Sequence, residues 1–147
     1  MINAVIIGLG KIGARYKNLS GISRTHVDAL IKNKISLVAL VDKSDKNFKH
    51  ISKTFNLKKE IFFKLNKIPK NINVDIAIFS TPPQNRYELI KNMSNKIKAK
   101  FYILEKPLSL SYKEAKLISH FFKNKKKKIY VNYQRNWDKK TRSFLKK

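Results

Sequence analysis

The chain has 147 residues, 42% of them hydrophobic, a net charge of +25 and no cysteine. That length and apolar content suit one domain with a real core and exclude a disordered chain, and the lack of Cys excludes a disulfide framework and thiolate chemistry. Three scattered histidines give no metal cluster, no apolar run reaches membrane-spanning length and the first residues do not read as an export leader, so a soluble cytoplasmic protein without a membrane partner is expected.

The first predicted element is a strand at residues 3–7, where Ala4, Val5, Ile6 and Ile7 are apolar on both faces, as a parallel strand covered on both sides requires. Gly8-Leu9-Gly10-Lys11-Ile12-Gly13 follows at once, fits G-x-G-x-x-G and opens a helix expected at 12–16. Each glycine has a physical job: Gly8 permits the tight turn, Gly10 lets the backbone approach a pyrophosphate, and Gly13 lets the helix pack close to the strand. The first N–H groups of such a helix have no carbonyl of their own and attract an anion. A loop at 18–23 interrupts the helix, and Ser23 or Thr25 recaps it for a segment at 25–32. The second strand, 36–41, ends in Asp42, whose carboxylate can accept hydrogen bonds from an adenosine ribose. The same residues also read as a plain glycine turn with Asp42 capping the strand end. A carboxylate there accepts from the 2′-hydroxyl of NAD and repels a 2′-phosphate, which favours NAD, while Lys43 and Ser44 beside it leave NADP open.

A helix at 45–55 and a weak strand at 60–63 lead to a third buried strand at 74–80. Pro82 and Pro83, in Ser80-Thr81-Pro82-Pro83, forbid its continuation and make a rigid turn at a strand C-terminus, the edge where open α/β sheets bind ligands. After a helix at 85–93 and a strand at 100–104, Glu105-Lys106-Pro107 repeats that arrangement. Lys106, fixed by Pro107, can bind an anion or polarise a hydroxyl, or it is one more solvated lysine. Ser111 and Glu114 resemble a capping box opening a helix at 112–122 with an apolar face of Ala115, Ile118, Phe121 and Phe122. The lysine run 123–128 falls where that helix should end, and cations there complement the helix dipole. Lysines recur in almost every segment beside many Asn and Ile, the signature of AT-rich coding, so loose salt-sensitive sticking to polyanions is expected instead of a specific nucleic-acid site. A last strand at 129–133 follows, and from Trp137 to Lys147 the chain reads as the start of another helix with Phe144 and Leu145 as its apolar residues.

This alternation predicts an α/β fold, a doubly wound, mostly parallel sheet of Rossmann type. Residues 1–136 are expected to form a dinucleotide-binding domain, and 137–147 to lead into a second, substrate-binding domain that this sequence does not contain.

The segments 5–13, 80–83 and 104–109, in this order, resemble the Gfo/Idh/MocA oxidoreductases, which include glucose-fructose oxidoreductase and inositol dehydrogenase. The specific part is Glu105-Lys106-Pro107 followed by the helix at Ser111-Tyr112-Lys113-Glu114-Ala115, and the likeness runs to Val131-Asn132-Tyr133-Gln134-Arg135. The resemblance implies a nicotinamide cofactor and hydride transfer at a secondary alcohol or ketone, commonly of a sugar or cyclitol. It implies that Lys106 sits near nicotinamide and substrate as a catalytic group, that Thr81 and Pro82 lie beside the cofactor, and that Glu105 is near the nicotinamide ribose. Cofactor contacts are thus expected from Gly8 through Gly13 and from Asp42, Lys43, Thr81, Pro82, Glu105 and Lys106. Relatives place most of the substrate pocket and a catalytic His in a second domain, and many have a His where this chain has Tyr87. His26, His50 and His120 fall in predicted helices and match no such His. The expectation is therefore the NAD(P)-binding domain of a sugar-type dehydrogenase, incomplete for catalysis alone, or else a non-catalytic dinucleotide module or half of a split enzyme.

Overall fold

The computed structural model describes residues 1–15, 23–133 and 143. Six parallel strands form one sheet: β1 (Asn3–Ile7), β2 (Ser36–Asp42), β3 (Phe62–Lys64), β4 (Ile72–Phe79), β5 (Ile97–Glu105) and β6 (Lys128–Asn132), in the spatial order β3-β2-β1-β4-β5-β6. The helices are α1 (His26–Lys32), α2 (Phe48–Phe55), α3 (Arg86–Ser94) and α4 (Tyr112–Asn124). The doubly wound parallel sheet expected from the alternation is therefore the fold, and its strand order reverses between β1 and β4. That switch point opens a crevice at the C-terminal ends of the strands.

The central strand shows why both faces had to be apolar. Ala4 and Ile6 point into one core with Val27 and Leu30 of α1 and Ile51 of α2, while Val5 and Ile7 point into the other with Ile90 of α3 and Ile118 and Phe122 of α4. Each helix is short and marginal by itself in water. The eight-residue α2 is held by Ile51, 1% exposed, and by the ring of Phe48 against Phe62 at 5.3 Å; burial of one such aliphatic side chain contributes about 2 kcal/mol. No helix among the described residues is long and apolar enough to cross a membrane.

Several boundaries differ from the sequence reading for identifiable reasons. The helix expected from 45 begins at Phe48, because Ser44 N–H bonds the Asp42 carboxylate and Asp45 pairs with Lys64 at 2.7 Å. β5 begins at Ile97 instead of 100: Ile97 and Ala99 are buried, but the lysines at 96, 98 and 100 interrupt the apolar run in sequence. Ser80 lies just past β4, its hydroxyl bonded to the Gly8 carbonyl at 2.5 Å. Thr25, not Ser23, caps α1 by accepting from Asp28 N–H at 3.1 Å. Ser111 caps α4 as expected, accepting from Glu114 N–H at 3.2 Å. The reciprocal half of the capping box is not made, because the Glu114 carboxylate instead accepts from Tyr87 N–H in α3 at 3.0 Å. The lysine run does end α4, with Lys125 at its C-cap. Residues 18–22 of the expected loop, position 16 of the first helix, positions 134–136 and all of 137–147 except 143 lie outside the described residues.

Candidate functional site

The turn after β1 is built on close approaches. Gly8 has φ +97°, and a Cβ there would come within 2.9 Å of the Ser80–Thr81 backbone. A Cβ on Gly13 would fall on the Gly8 carbonyl oxygen and within 2.9 Å of Ser80 Oγ. Gly10 is the opposite case: a Cβ there would meet nothing within 4 Å among the described residues. Its carbonyl accepts from Ala14 N–H at 3.0 Å and Arg15 N–H at 3.1 Å, closing a short wide helical turn over Lys11–Arg15. Asp42 binds this turn across the sheet. One carboxylate oxygen accepts from Leu9 N–H at 2.7 Å and the other from Ser44 N–H at 3.1 Å. The Leu9 side chain itself is 1% exposed and belongs to the core, so Leu9 enters the site through its backbone alone.

The opposite wall comes from the ends of β4 and β5. Ser80, Thr81 and Pro82 line both of two adjoining clefts. One, of about 440 Å³, lies beside Gly8, Asp42, Lys43 and Leu65. The other, of about 950 Å³, lies beside Lys11, Ile12, Glu105 and Lys106. The sequence-predicted site residues thus line these two clefts along one sheet edge, except Gly13, which packs beneath the turn against Gly8, and the side chain of Leu9. Thr81 Oγ1 is buried without a hydrogen-bond partner among the described residues. Lys106 is exposed and makes no ion pair among the described residues.

The sequence reading missed Arg86. It is 0% exposed at the start of α3, and its guanidinium donates to the carbonyls of Thr81, Glu105, Pro107 at 2.6 Å and Leu108 at 3.3 Å. A planar fork is the shape that collects several carbonyls from separate segments. Burial pulls its pKa below the ordinary value, and the charges of Glu105 and Glu114 oppose that. The Lys106–Pro107 peptide, held by this arginine, is cis. The available signal was an arginine opening a helix in a chain whose cations are almost all lysine.

Glu105 is the second surprise. Its carboxylate is 11% exposed and accepts from Asn132 Nδ2 at 2.6 Å, with His26 Nε2 at 2.8 Å from the same oxygen. Burial pushes this carboxyl up, but the hydrogen bonds from His26 and Asn132 outweigh it and hold the pKa below the usual range. A depressed folded-state pKa stabilises the fold fully above the usual carboxylate range and loses that contribution as pH falls through the depressed value. Glu105→Gln is therefore expected to flatten the acid limb of the thermal midpoint against pH; an unchanged acid limb would show that other carboxylates set it.

The family model described as "Oxidoreductase family, NAD-binding Rossmann fold" (Gfo/Idh/MocA) matches residues 2–133. An uncharacterized oxidoreductase of Schizosaccharomyces pombe is 26% identical over 78 residues, which are 53% of this chain and 21% of that protein. The myo-inositol 2-dehydrogenase from Lactobacillus plantarum superposes with a TM-score of 0.62 at 19% identity, over 94% of this chain and 38% of that one. The WlbA dehydrogenase from Chromobacterium violaceum, crystallised with NADH and UDP-GlcNAcA, gives 0.67 at 18% identity, over 89% of this chain and 34% of that one. The sequence therefore spans well under half the length of the proteins it matches.

Proposed function

This chain belongs to the Gfo/Idh/MocA oxidoreductases as their NAD-binding Rossmann domain, and on that premise we propose that its strand-end clefts hold one NAD molecule in a fixed direction. The pyrophosphate lies on the Gly8–Gly13 turn, the adenosine ribose on Asp42 beside Lys43, and the nicotinamide end against Thr81, Pro82, Glu105 and Lys106. The observation that carries this reading is the pair of adjoining clefts meeting at Gly10, with the Asp42 end on one side and the Lys106 end on the other. The residues fit the group. The open space above Gly10 admits a pyrophosphate where any Cβ would stand, and the N–H groups of Lys11 and Ile12 begin a helical turn and have no carbonyl behind them. Asp42 accepts two backbone N–H groups and keeps acceptor sites for ribose hydroxyls, since a carboxylate has about four.

Bound nicotinamide supplies a hydride acceptor or donor for a carbon bearing a hydroxyl. In this reading Lys106 sets an ammonium at the mouth of the cleft, where it orients a substrate hydroxyl and eases loss of its proton. No histidine lines that cleft, and Lys106 faces solvent. We accordingly assign residues 1–136 to the cofactor half of a sugar- or cyclitol-type dehydrogenase. The substrate wall and the principal acid–base group come from elsewhere: a following segment, a second polypeptide or a partner copy. The non-catalytic module draws on the same observation.

Calorimetric titration of the folded chain with NADH and NADPH tests the first claim. NADH is expected to bind more tightly, because Asp42 repels a 2′-phosphate; no binding of either removes the reading, and tighter NADPH shows that Lys43 and Ser44 dominate. An assay of the same chain against sugars and cyclitols is expected to give no NADH. Robust turnover that disappears in Lys106→Ala would show that the residues present complete the site.

A further inference from the structure

His26 opens α1, 79 positions in sequence from the carboxylate it touches, that of Glu105 in the wall of the larger cleft. Its backbone is pinned by the Thr25 cap, which is itself 5% exposed. The imidazole brings Nε2 to 2.8 Å from Glu105 Oε1, and Asn132 of β6 donates to the same oxygen. An ionised carboxylate only accepts, so Nε2 carries a proton in this contact.

The need for an anchor follows from the charge around it. Lys11, Arg15, Arg24 and Lys106 line the same cleft as Glu105, in a chain of net charge +25. A glutamate free to rotate among these cations pairs with one of them, Lys106 being its sequence neighbour. Held by His26 and Asn132, it lies in the cleft wall and leaves Lys106 unpaired among the described residues.

We propose that His26 is a positioning residue for the nicotinamide half of the site: its Nε2–H fixes the Glu105 carboxylate toward the nicotinamide ribose and away from Lys106. This rests on the dinucleotide reading above. It assigns His26 a place in the site although it touches neither the glycine turn nor Asp42.

The test compares NADH with ADP as calorimetric ligands of wild type, His26→Leu and His26→Gln, with thermal unfolding as a check on folding. ADP probes the adenosine and pyrophosphate end alone. His26→Leu is expected to weaken NADH about tenfold, the scale of one hydrogen bond to a charged group, and to leave ADP within about twofold. His26→Gln, which keeps a donor, is expected to recover most of the loss. His26→Asn, too short to reach Glu105, replaces the apolar variant if that one does not fold. An unchanged NADH affinity, an equal loss of ADP affinity, or a Gln variant as weak as Leu overturns the proposal while the dinucleotide reading stands. Wild type that binds neither ligand removes both.

Discussion

Gly10→Val is expected to lower NADH affinity by at least about a hundredfold while the thermal midpoint stays within about 3 °C of wild type. Gly13→Ala is expected to do something different, costing about 3 kcal/mol or more of stability and about 10 °C in midpoint. The two glycines sit three residues apart in one hexapeptide, yet the added atoms go to different places. At Gly10 a Cβ enters space open among the described residues, the space a pyrophosphate would fill, and crowds none of them. At Gly13 even a methyl lands on the Gly8 carbonyl oxygen and crowds Ser80 Oγ, both backbone-anchored, so the turn and the strand end must part. Calorimetry and thermal unfolding on the two variants separate these effects. Near-wild-type NADH affinity in Gly10→Val would place the pyrophosphate elsewhere, and a fully stable Gly13→Ala would mean that the turn relaxes where its packing says it cannot.

Replacement of Arg86 has the second-largest expected effect. Arg86→Met fills much of the volume but leaves the carbonyls of Thr81, Glu105, Pro107 and Leu108 without their shared donor. Loss of a buried charged donor to several acceptors costs about 3 kcal/mol, read as a drop of about 10 °C in midpoint. Arg86→Lys is expected to recover little, because a single ammonium cannot reach carbonyls on two separate loops in a fixed plane. The burial of the guanidinium opposes this cost, since desolvation already pulls its pKa down. A midpoint unchanged in Arg86→Met would show that the desolvation of the arginine cancels its hydrogen bonds.

The sequence announces what local spacing controls. The glycine turn, Asp42 at the end of β2, and the Pro-fixed strand ends follow from residue types within a few positions of each other, and the parallel sheet follows from strands apolar on both faces. Contacts made across the sheet are silent in sequence. Arg86 gathers carbonyls from the end of β5 and from the loops after β4 and β5, and His26 meets Glu105 across 79 positions of sequence. Neither has a periodicity or a motif to mark it. Leu9 shows a further limit: its place inside the hexapeptide suggests a ligand contact, but its side chain completes the core and only its N–H faces Asp42. The lysines at 96, 98 and 100 hid the first residues of β5 because period-two burial looks polar when every second residue is charged.

The one acid in the first turn of α4 has a consequence for how the domain opens. Glu114 closes the N-terminus of α3 through Tyr87 N–H, while Asn85, at the cap position of α3, offers no side-chain bond. The amide of Tyr87 is thus shielded from solvent exchange only while α4 lies in place. Departure of α4 uncovers the start of α3 in the same event, so the two crossovers behave as a single cooperative unit in local unfolding. Arg86, one residue earlier, carries that event to the loops at Thr81 and Pro107. Amide exchange at Tyr87 therefore reports the integrity of the Lys106 end of the cleft from a position outside it.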